Sequence, residues 1–422
     1  MRFNVSVVST FLFIVSLSFA GESNADTQAA LAGIQSSDPG VVQSSIAELR
    51  SDGPPGLAAL LEQYDQHPDP KLIPAIDAVA GQRDAIWSRL FWYSDLAQAE
   101  AAAAQEGKPI LYLRLMGKLT DEYSCANSRF FRAALYSNQN VSKMLREEFI
   151  LVWASERPVP VVTIDYGDGR TLKRTITGNS IHYVLDSKGE VFDALPGLFD
   201  PVAFGRIVGE AGLLARFGEG ARGRYLERED DTILRQWKQD ASSVNPRLVL
   251  ADSQIQNAAE KADAAMAMRR AVSKTAIEAP LLRAMSPQFA AALDQSIDVL
   301  GASRWQQIAA LHLADATLDQ QSIALIRSQN PAAYSVPAVL DRTVQQFEKT
   351  IAEDSVRDNY QMRRQVLAWL RQSPAPIALD DLNRRVYSEL FLTPKSDPWI
   401  GLAPQGMYTA LTDDGCSAAS PQ

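Results

Sequence analysis

Three patterns of apolar and polar positions follow one another along the chain. Within residues 26–86, apolar residues recur three and four positions apart, which predicts short amphipathic helices. Short apolar runs such as "ILYLRL" (110–115) and "FILVWAS" (149–155) then alternate with helical stretches, and runs of this kind predict buried strands. From about residue 221 to 415 the pattern is helical almost throughout. The predicted fold class is therefore α/β plus all-α, with a mixed α/β domain over residues 87–215 between two helical regions.

Two strand–turn–strand patterns lie in the second half of the mixed domain. Apolar residues alternate before and after "GDG" (167–169), which predicts a β-hairpin. A second pair of strands, in "SIHYVLDSKGEV" (180–191), turns at Gly189. The stretch "DYGDGRT" (165–171) also has the acidic and glycine content of a calcium loop, but it lacks the alternating oxygen ligands and the bidentate glutamate. A tight glycine turn is the better interpretation.

The first helical segment contains two helix-start signals. Asp38-Pro39 and Asp69-Pro70 are thirty-one residues apart, and in each pair the aspartate caps a helix whose first turn tolerates the proline. The two units within residues 26–86 resemble a short stretch of HEAT-like helical repeat. A generic helical lead-in without a repeat is the alternative, because the period rests on two copies.

Residues 1–20 have the pattern of a secretory signal peptide. Arg2 is followed by an apolar run, and Ser18 and Ala20 flank Phe19 in a sequence that signal peptidase accepts. This predicts export to the periplasm or the cell exterior, with an uncleaved membrane anchor as the alternative. No later stretch approaches the length of a membrane span, so we expect no integral membrane span after signal cleavage.

Charge and cysteine content narrow the possible functions. The chain has 41 basic and 50 acidic residues, a net charge of −9, which leaves no basic footprint for nucleic acid. We therefore expect a protein or peptide as the partner, and no motif indicates a cofactor or a metal. The two cysteines, Cys125 and Cys416, are too few for a disulfide scaffold, and the sequence leaves open whether they pair. Cys416 begins a short polar tail, residues 416–422.

Five short motifs follow one another in the mixed domain: "GKPILYLRL" (107–115), "SCANS" (124–128), "FILVWAS" (149–155), "SIHYVLDSKGEV" (180–191) and "LPGLFDPVAF" (195–204). Together with the order of the predicted helices and strands, they resemble the thioredoxin-like superfamily. In that superfamily a strand runs into a C-x-x-C motif at a helix N-terminus, and a later strand begins at a cis-proline. The resemblance covers under a third of the chain.

The resemblance implies thiol chemistry at Cys125, since the N-terminus of a helix stabilises a thiolate. The motif here is Cys125-Ala126-Asn127-Ser128, in which serine stands where a second cysteine would resolve a mixed disulfide. Ser180 stands at the family's cis-proline position, and a cis peptide bond before a residue other than proline costs about 3–4 kcal/mol. The implied chemistry is therefore monothiol at most, and we expect a trans or differently shaped substrate loop.

Four side chains are candidate site residues. Cys125 is either a nucleophile or a small apolar residue that fills space at a helix start. Ser128 either donates a hydrogen bond to the thiolate or is an ordinary polar residue of the first helical turn. Arg129 is a candidate stabiliser of the thiolate. His182 is either a base or metal ligand beside Cys125 or a strand histidine within the sheet, and no third residue at a suitable spacing completes a triad or a zinc site.

Two hypotheses of function follow. The missing second cysteine and the missing proline favour an exported, degenerate binding or interaction module with at most monothiol chemistry at Cys125. The cysteine retained at a helix start favours, as the alternative, a monothiol disulfide-exchange or isomerase-type redox protein that uses Cys125 as its nucleophile.

Overall fold

The computed structural model describes most of the chain as a mixed structure of helices and a small sheet. It divides into two compact units, one up to Trp92 and the other from Tyr93 onward. The predicted signal peptide and the tail that begins at Cys416 lie outside the described residues, as do parts of the predicted C-terminal helical region. The described residues are 25–175, 178–245, 302–373, 376–391 and 393–398.

Helices dominate both units, and the strands belong to the second. The helices of the first unit are α1 (residues 25–33), α2 (Pro39–Ser51), α3 (Pro54–Gln66), α4 (Ile73–Ala80) and α5 (Ala85–Ser88). Those of the second are α6 (Leu96–Glu106), α7 (Ala126–Phe130), α8 (Gln139–Glu148), α9 (Pro201–Ala215), α10 (Glu219–Val244), α11 (Ala302–Leu311), α12 (Gln320–Gln329), α13 (Pro337–Arg357), α14 (Arg364–Gln372) and α15 (Leu379–Arg385). The strands are β1 (Ile110–Met116), β2 (Ile150–Arg157), β3 (Val161–Asp165), β4 (Thr171–Thr175), β5 (Ser180–Leu185) and β6 (Val191–Pro196). The π-helical turns Phe131–Tyr136, Asp358–Arg363 and Val386–Leu390 continue α7, α13 and α15.

Helix starts in the first unit follow the two aspartate–proline signals. The Asp38 carboxylate accepts a hydrogen bond from the backbone N–H of Gly40 at 2.8 Å, and Pro39 opens α2. Asp69 accepts from the N–H of Lys71 at 2.9 Å in the short turn that leads into α4. The predicted helices are confirmed, whereas a HEAT-type repeat stays a prediction. The fully buried core of this unit includes Leu49, Leu60, Ile76 and Val79.

The sheet of the second unit has four strands in the order β2-β1-β5-β6. Strands β1 and β2 are parallel, β5 is antiparallel to β1, and β6 is antiparallel to β5. All residues of β5 and β6 are buried, because α9 packs against both strands and α10, α14 and the turn Asp358–Arg363 pack against β6. The two apolar runs that predicted strands form β1 and β2; β1 is buried except at Arg114, whereas β2 is buried at Ile150–Val152 and mostly part-exposed beyond them.

Strands β3 and β4 form a separate two-stranded hairpin. Asp165 accepts a hydrogen bond from the N–H of Gly167 at 2.8 Å, and Asp168 accepts from the N–H of Arg170 at 3.1 Å. Gly167 and Gly169 have φ angles of 73° and 88°, in the region that favours glycine. Both aspartates thus take part in the turn, and the predicted hairpin is confirmed.

A buried ion network links the sheet to the helices that follow it. Arg363 is fully buried and donates to Asp193 of β6 at 2.6 Å and to Glu229 of α10 at 3.0 Å. The Tyr225 hydroxyl, also on α10, donates to Asp193 at 2.5 Å. Because these side chains come from β6, α10 and a π-helical turn, the mixed α/β part and the described helices after it belong to one unit.

Candidate functional site

Cys125 lies at the start of α7, in the loop that leaves the end of β1. Its backbone N–H donates to the carbonyl of Met116, the last residue of β1, at 3.2 Å. Its own carbonyl accepts the first helical hydrogen bond, from the N–H of Arg129 at 3.1 Å. This confirms the predicted position of the cysteine at a helix start. The side chain is 0% exposed, so a thiol reagent cannot reach it in this state.

The thiol of Cys125 is surrounded by neutral oxygen atoms. Its Sγ lies 2.8 Å from the Ser180 hydroxyl, 3.5 Å from the Ser128 hydroxyl and 3.9 Å from the backbone carbonyl of Asn179. The carbonyl oxygen can only accept a hydrogen, so this contact is made by the S–H form. Only the Ser180 hydroxyl can act as either donor or acceptor toward the sulfur, because the Ser128 hydroxyl donates its hydrogen to the Cys125 carbonyl. These neutral groups are suited to packing around a thiol.

Ser180 is the site residue whose role the sequence did not reveal. The resemblance places it at the cis-proline position, and that position alone could have indicated that its hydroxyl lies beside the thiol. None of the peptide bonds among the described residues is cis. The expected trans loop at Asn179–Ser180 is therefore confirmed.

Ser128 bonds first to its own helix. Its hydroxyl donates to the carbonyl of Cys125 at 2.8 Å, the local bond that serine commonly makes in a first helical turn. The same oxygen accepts from the Cys125 thiol at 3.5 Å. Ser128 therefore bonds as an ordinary polar residue of the first helical turn, and its donation of a hydrogen bond to a thiolate stays a prediction.

Arg129 connects the cysteine loop to the hairpin. Its Nε donates to the carbonyl of Ser124 at 3.2 Å, and its Nη2 donates to the hydroxyl of Thr175 at 2.8 Å. Thr175 is the last residue of β4 and is buried. These bonds give Arg129 a bracing role, while stabilisation of a thiolate by Arg129 stays a prediction.

His182 lies on β5 in a fully buried aromatic environment. Its Nε2 is 2.7 Å from the hydroxyl of Tyr136, and its ring centroid is 4.6 Å from that of Phe131 and 5.1 Å from that of Phe204. Burial lowers the pKa of His182 to about 3, so the imidazole is neutral at neutral pH. A ring this hard to protonate is a poor general base. The geometry fits the interpretation of His182 as a strand histidine within the sheet.

Two buried tyrosines flank the cysteine environment. Tyr136 ends the π-helical turn that continues α7, and Tyr387 lies in the turn Val386–Leu390. Burial raises the pKa of both phenols well above the usual range, and the nearby Cys125 adds to the rise. Both hydroxyls are therefore protonated hydrogen-bond donors throughout the neutral range.

A segment distant in sequence is hydrogen-bonded to this site. We call the described residues from Leu379 to Pro398 the strap; it comprises α15, the turn Val386–Leu390 and the residues that follow. The Tyr387 hydroxyl donates to the backbone carbonyl of Asn179 at 3.3 Å, and the Asn179 amide donates to the hydroxyl of Thr393 at 3.1 Å. The carbonyl of Asn179 thus faces the thiol and the strap together.

Polar side chains of β2 hold the end of the strap. Arg157 donates to the carbonyls of Pro394, Asp397 and Pro398 at 3.2, 2.9 and 2.9 Å. Its neighbour Glu156 forms a 2.9 Å ion pair with Lys395.

Glu156 is also bonded within the unit, to Arg114 at 2.5 Å and to Asn383 of the strap at 2.8 Å. Burial acts to raise the pKa of Glu156, but the hydrogen bonds from Arg114 and Lys395 outweigh it and the net pKa is lowered. Glu156 is therefore charged at neutral pH and can attract Lys395.

Asn127, inside the cysteine motif, is a buried amide without a hydrogen-bond partner. The side chain is 1% exposed, and neither its Oδ1 nor its Nδ2 is bonded to another described atom. Such a group costs about 1–3 kcal/mol relative to a satisfied one. Buried polar groups of this kind are uncommon enough in folded proteins to call for a test.

Among the residues described, none of the His, Cys, Asp and Glu side chains form a group of three or more that could hold a metal ion. Within the described ranges, no helix combines the length and the apolar character that crossing a bilayer requires. Comparisons of the chain with protein-family models, curated protein sequences and solved structures return no significant match.

Proposed function

We propose that this chain is an exported interaction module built on a thioredoxin-like framework. In this module the Cys125 side chain packs in the interior and does not act as a catalytic nucleophile. The observation that carries the proposal is the complete burial of the Cys125 thiol, next to an asparagine, Asn179, to which the strap is bonded. A nucleophile must meet its substrate, and this one has no exposed surface.

The order of helices and strands along the chain supports the thioredoxin-like part of the proposal. The order that resembles the superfamily is a helix, a strand, a cysteine-bearing helix, a second helix, a strand, a hairpin, a strand–turn–strand pair and a closing helix. The chain has β1, α7, α8 and β2 in that order, with β1 and β2 parallel, and then the antiparallel pair β5 and β6 and the helix α9. Helix α6 precedes β1, and the hairpin of β3 and β4 lies between β2 and β5, as in that order, although it does not join the four-stranded sheet.

The groups around Cys125 also favour a packing role. A disulfide-exchange cycle needs a thiolate, a path for the partner and a second thiol that resolves the mixed disulfide. The nearest groups are the hydroxyls of Ser180 and Ser128, which cannot resolve a disulfide. His182 is held neutral and bonded to Tyr136, so it is a weak candidate for the base.

Thiol accessibility tests the proposal. The substitution Cys416→Ser leaves Cys125 as the only cysteine, so labelling by 5,5′-dithiobis(2-nitrobenzoate) reports on that thiol alone. We expect labelling of the folded protein to be at least about 10³-fold slower than that of the same protein in denaturant, as for a thiol reached only by opening. A folded-state rate within tenfold of the unfolded one would refute the packing role.

The alternative is a monothiol disulfide-exchange or isomerase-type redox protein. The observation that favours it is the Ser180 hydroxyl, 2.8 Å from the sulfur of a cysteine at a helix start, because a hydroxyl can also donate to a thiolate. Trapping of mixed disulfides from an extract separates the two functions. Partners captured by the Cys416→Ser protein and lost on the further substitution Cys125→Ser would establish the alternative.

Export and the nature of the partner complete the proposal. The signal-like residues 1–20 support export to the periplasm or the cell exterior, and a net charge of −9 favours a protein or peptide partner over nucleic acid. Fractionation of expressing cells followed by N-terminal sequencing tests the first point. A mature protein that retains Met1 in the cytosol would contradict it.

A further inference from the structure

We infer that the strap is an intramolecular cover of the Cys125 site, and that its release from an otherwise folded unit is the step that makes the thiol accessible. The inference deepens the proposed function, because it rests on the closed state of Cys125 and names what keeps the site closed.

The strap bonds to the part of the backbone nearest the thiol. The carbonyl of Asn179 lies 3.9 Å from the Sγ of Cys125 and accepts a hydrogen bond from Tyr387 of the strap. The side chain of the same asparagine donates to Thr393. The backbone N–H of Thr393 in turn donates to the carbonyl of Tyr387 at 2.8 Å, so the two strap residues that contact Asn179 are also bonded to each other. The backbone carbonyl and the side-chain Nδ2 of Asn179 are therefore both bonded to the strap.

The strap is attached through side chains and not through sheet pairing. None of the described strands pairs with it, since the four-stranded sheet consists of β1, β2, β5 and β6. Its connections to β2 are the Arg157 bonds to three carbonyls, the Lys395–Glu156 pair and the Asn383 bond to Glu156, and Lys395 is 68% exposed. Polar contacts of this kind can be broken without breaking a ladder of backbone hydrogen bonds, which favours local opening over global unfolding.

Apolar residues hold the other end of the strap and set the size of the opening unit. Leu382, Val386, Tyr387 and Phe391 are each at most 2% exposed. Opening must therefore expose this apolar side together with the thiol, so it is a rare, sub-global event. A rare event is measurable because labelling of Cys125 is irreversible on the time scale of opening when the reagent is in excess.

The experiment compares labelling rates of Cys125 at increasing urea concentrations below the unfolding transition, in the Cys416→Ser background. Arg157→Gln removes the bonds to the three strap carbonyls, and Tyr387→Phe removes the bond to Asn179 while keeping the ring. Arg170→Gln is the matched control, because Arg170 is 76% exposed on the hairpin. The global unfolding transition of each variant is followed by circular dichroism.

We expect Arg157→Gln to label about ten- to a hundredfold faster than the parent, since hydrogen bonds from a charged donor are being removed, and Tyr387→Phe about three- to tenfold faster. Arg170→Gln should match the parent. The dependence of labelling on urea should be weaker than that of global unfolding, because a smaller surface is exposed.

Two outcomes would overturn the inference in different ways. In the first outcome, labelling has the full urea dependence of global unfolding and the variant rates follow global stability alone. This would show that the strap does not open separately, although the thiol would still be buried as proposed. Rapid labelling of the parent without urea would instead refute the closed site, and with it the proposed function.

Discussion

Substitution of Arg363 tests the buried ion network that joins the sheet to the helices after it. The side chain is fully buried and donates to Asp193, to Glu229 and, at 3.3 Å, to the Tyr225 hydroxyl. The substitution Arg363→Met keeps much of the volume and removes the charge. It leaves two buried carboxylates without their main cation, which is the costly way to break a buried pair.

The expected loss of stability follows from that imbalance. Removal of one partner of a buried ion pair costs about 3–5 kcal/mol, and Arg206, whose contact with Glu229 is 3.5 Å, compensates only part of it. Such a loss is a large fraction of the about 5–15 kcal/mol that stabilises a typical domain. Neutralising the carboxylates as well, in Arg363→Met with Asp193→Asn and Glu229→Gln, should recover at least half of the loss, because no buried charge is left unpaired.

Equilibrium unfolding in urea, followed by circular dichroism, measures both variants. Arg371→Met is the matched control, since Arg371 is 38% exposed and pairs with Asp230 at the surface, where an ion pair contributes less than about 1 kcal/mol. If Arg363→Met lost no more stability than this control, the network would not couple the sheet to α10. If the triple variant were less stable than the single one, the explanation through unpaired carboxylates would be wrong.

Three further predictions concern individual positions. Asn127→Leu should raise the free energy of unfolding by up to about 1 kcal/mol, because it removes a buried amide without a hydrogen-bond partner among the described residues. If urea unfolding showed instead that the variant is less stable by more than about 1 kcal/mol, the amide would have a stabilising partner. Gly197→Ala should cost about 2–4 kcal/mol of unfolding free energy in the same assay, since Gly197 has φ of 88° and a Cβ there would lie 1.9 Å from a buried carboxylate oxygen. Gly167→Ala, with open space around it, should cost only about 1–2 kcal/mol. Equal losses in the two variants would contradict the role of the clash. The hydrogen bond from His312 to Asp240 raises the pKa of His312, so the stabilising contribution of this bond is complete below pH 6.5 and is lost as the pH rises through the raised pKa. The difference in unfolding free energy between the parent and His312→Gln should therefore shrink over that pH range. A difference that does not change with pH would refute the prediction.

Local pattern was sufficient to predict the elements that build the site. The run 110–115 is a strand because its apolar length fits a buried position, and Cys125 lies where that strand leads into a helix. The hairpin and the turn at Gly189 followed from glycine at positions that need a positive φ. These features depend on residues within a few positions of each other, which is the distance over which sequence pattern is informative.

The cover of the site could not be predicted in the same way. Asn179 and Thr393 are 214 residues apart, and nothing local to either residue indicates the other. The pairing of His182 with Tyr136 and the bonding of Arg157 to carbonyls of the strap have the same character. Such contacts are set by how packed helices present their side chains, and a single sequence contains no signal for them.

The turn of the β3–β4 hairpin is a place where the chain can accept inserted residues. The hairpin is inserted between β2 and β5, yet β5 pairs with β1 and not with it. Its turn around Gly167 and Gly169 has no other atoms within 4 Å of the positions where a side chain would begin. Additional residues at this turn would meet solvent, so it is the natural position for an epitope or a fluorophore that leaves the sheet and the cysteine environment undisturbed.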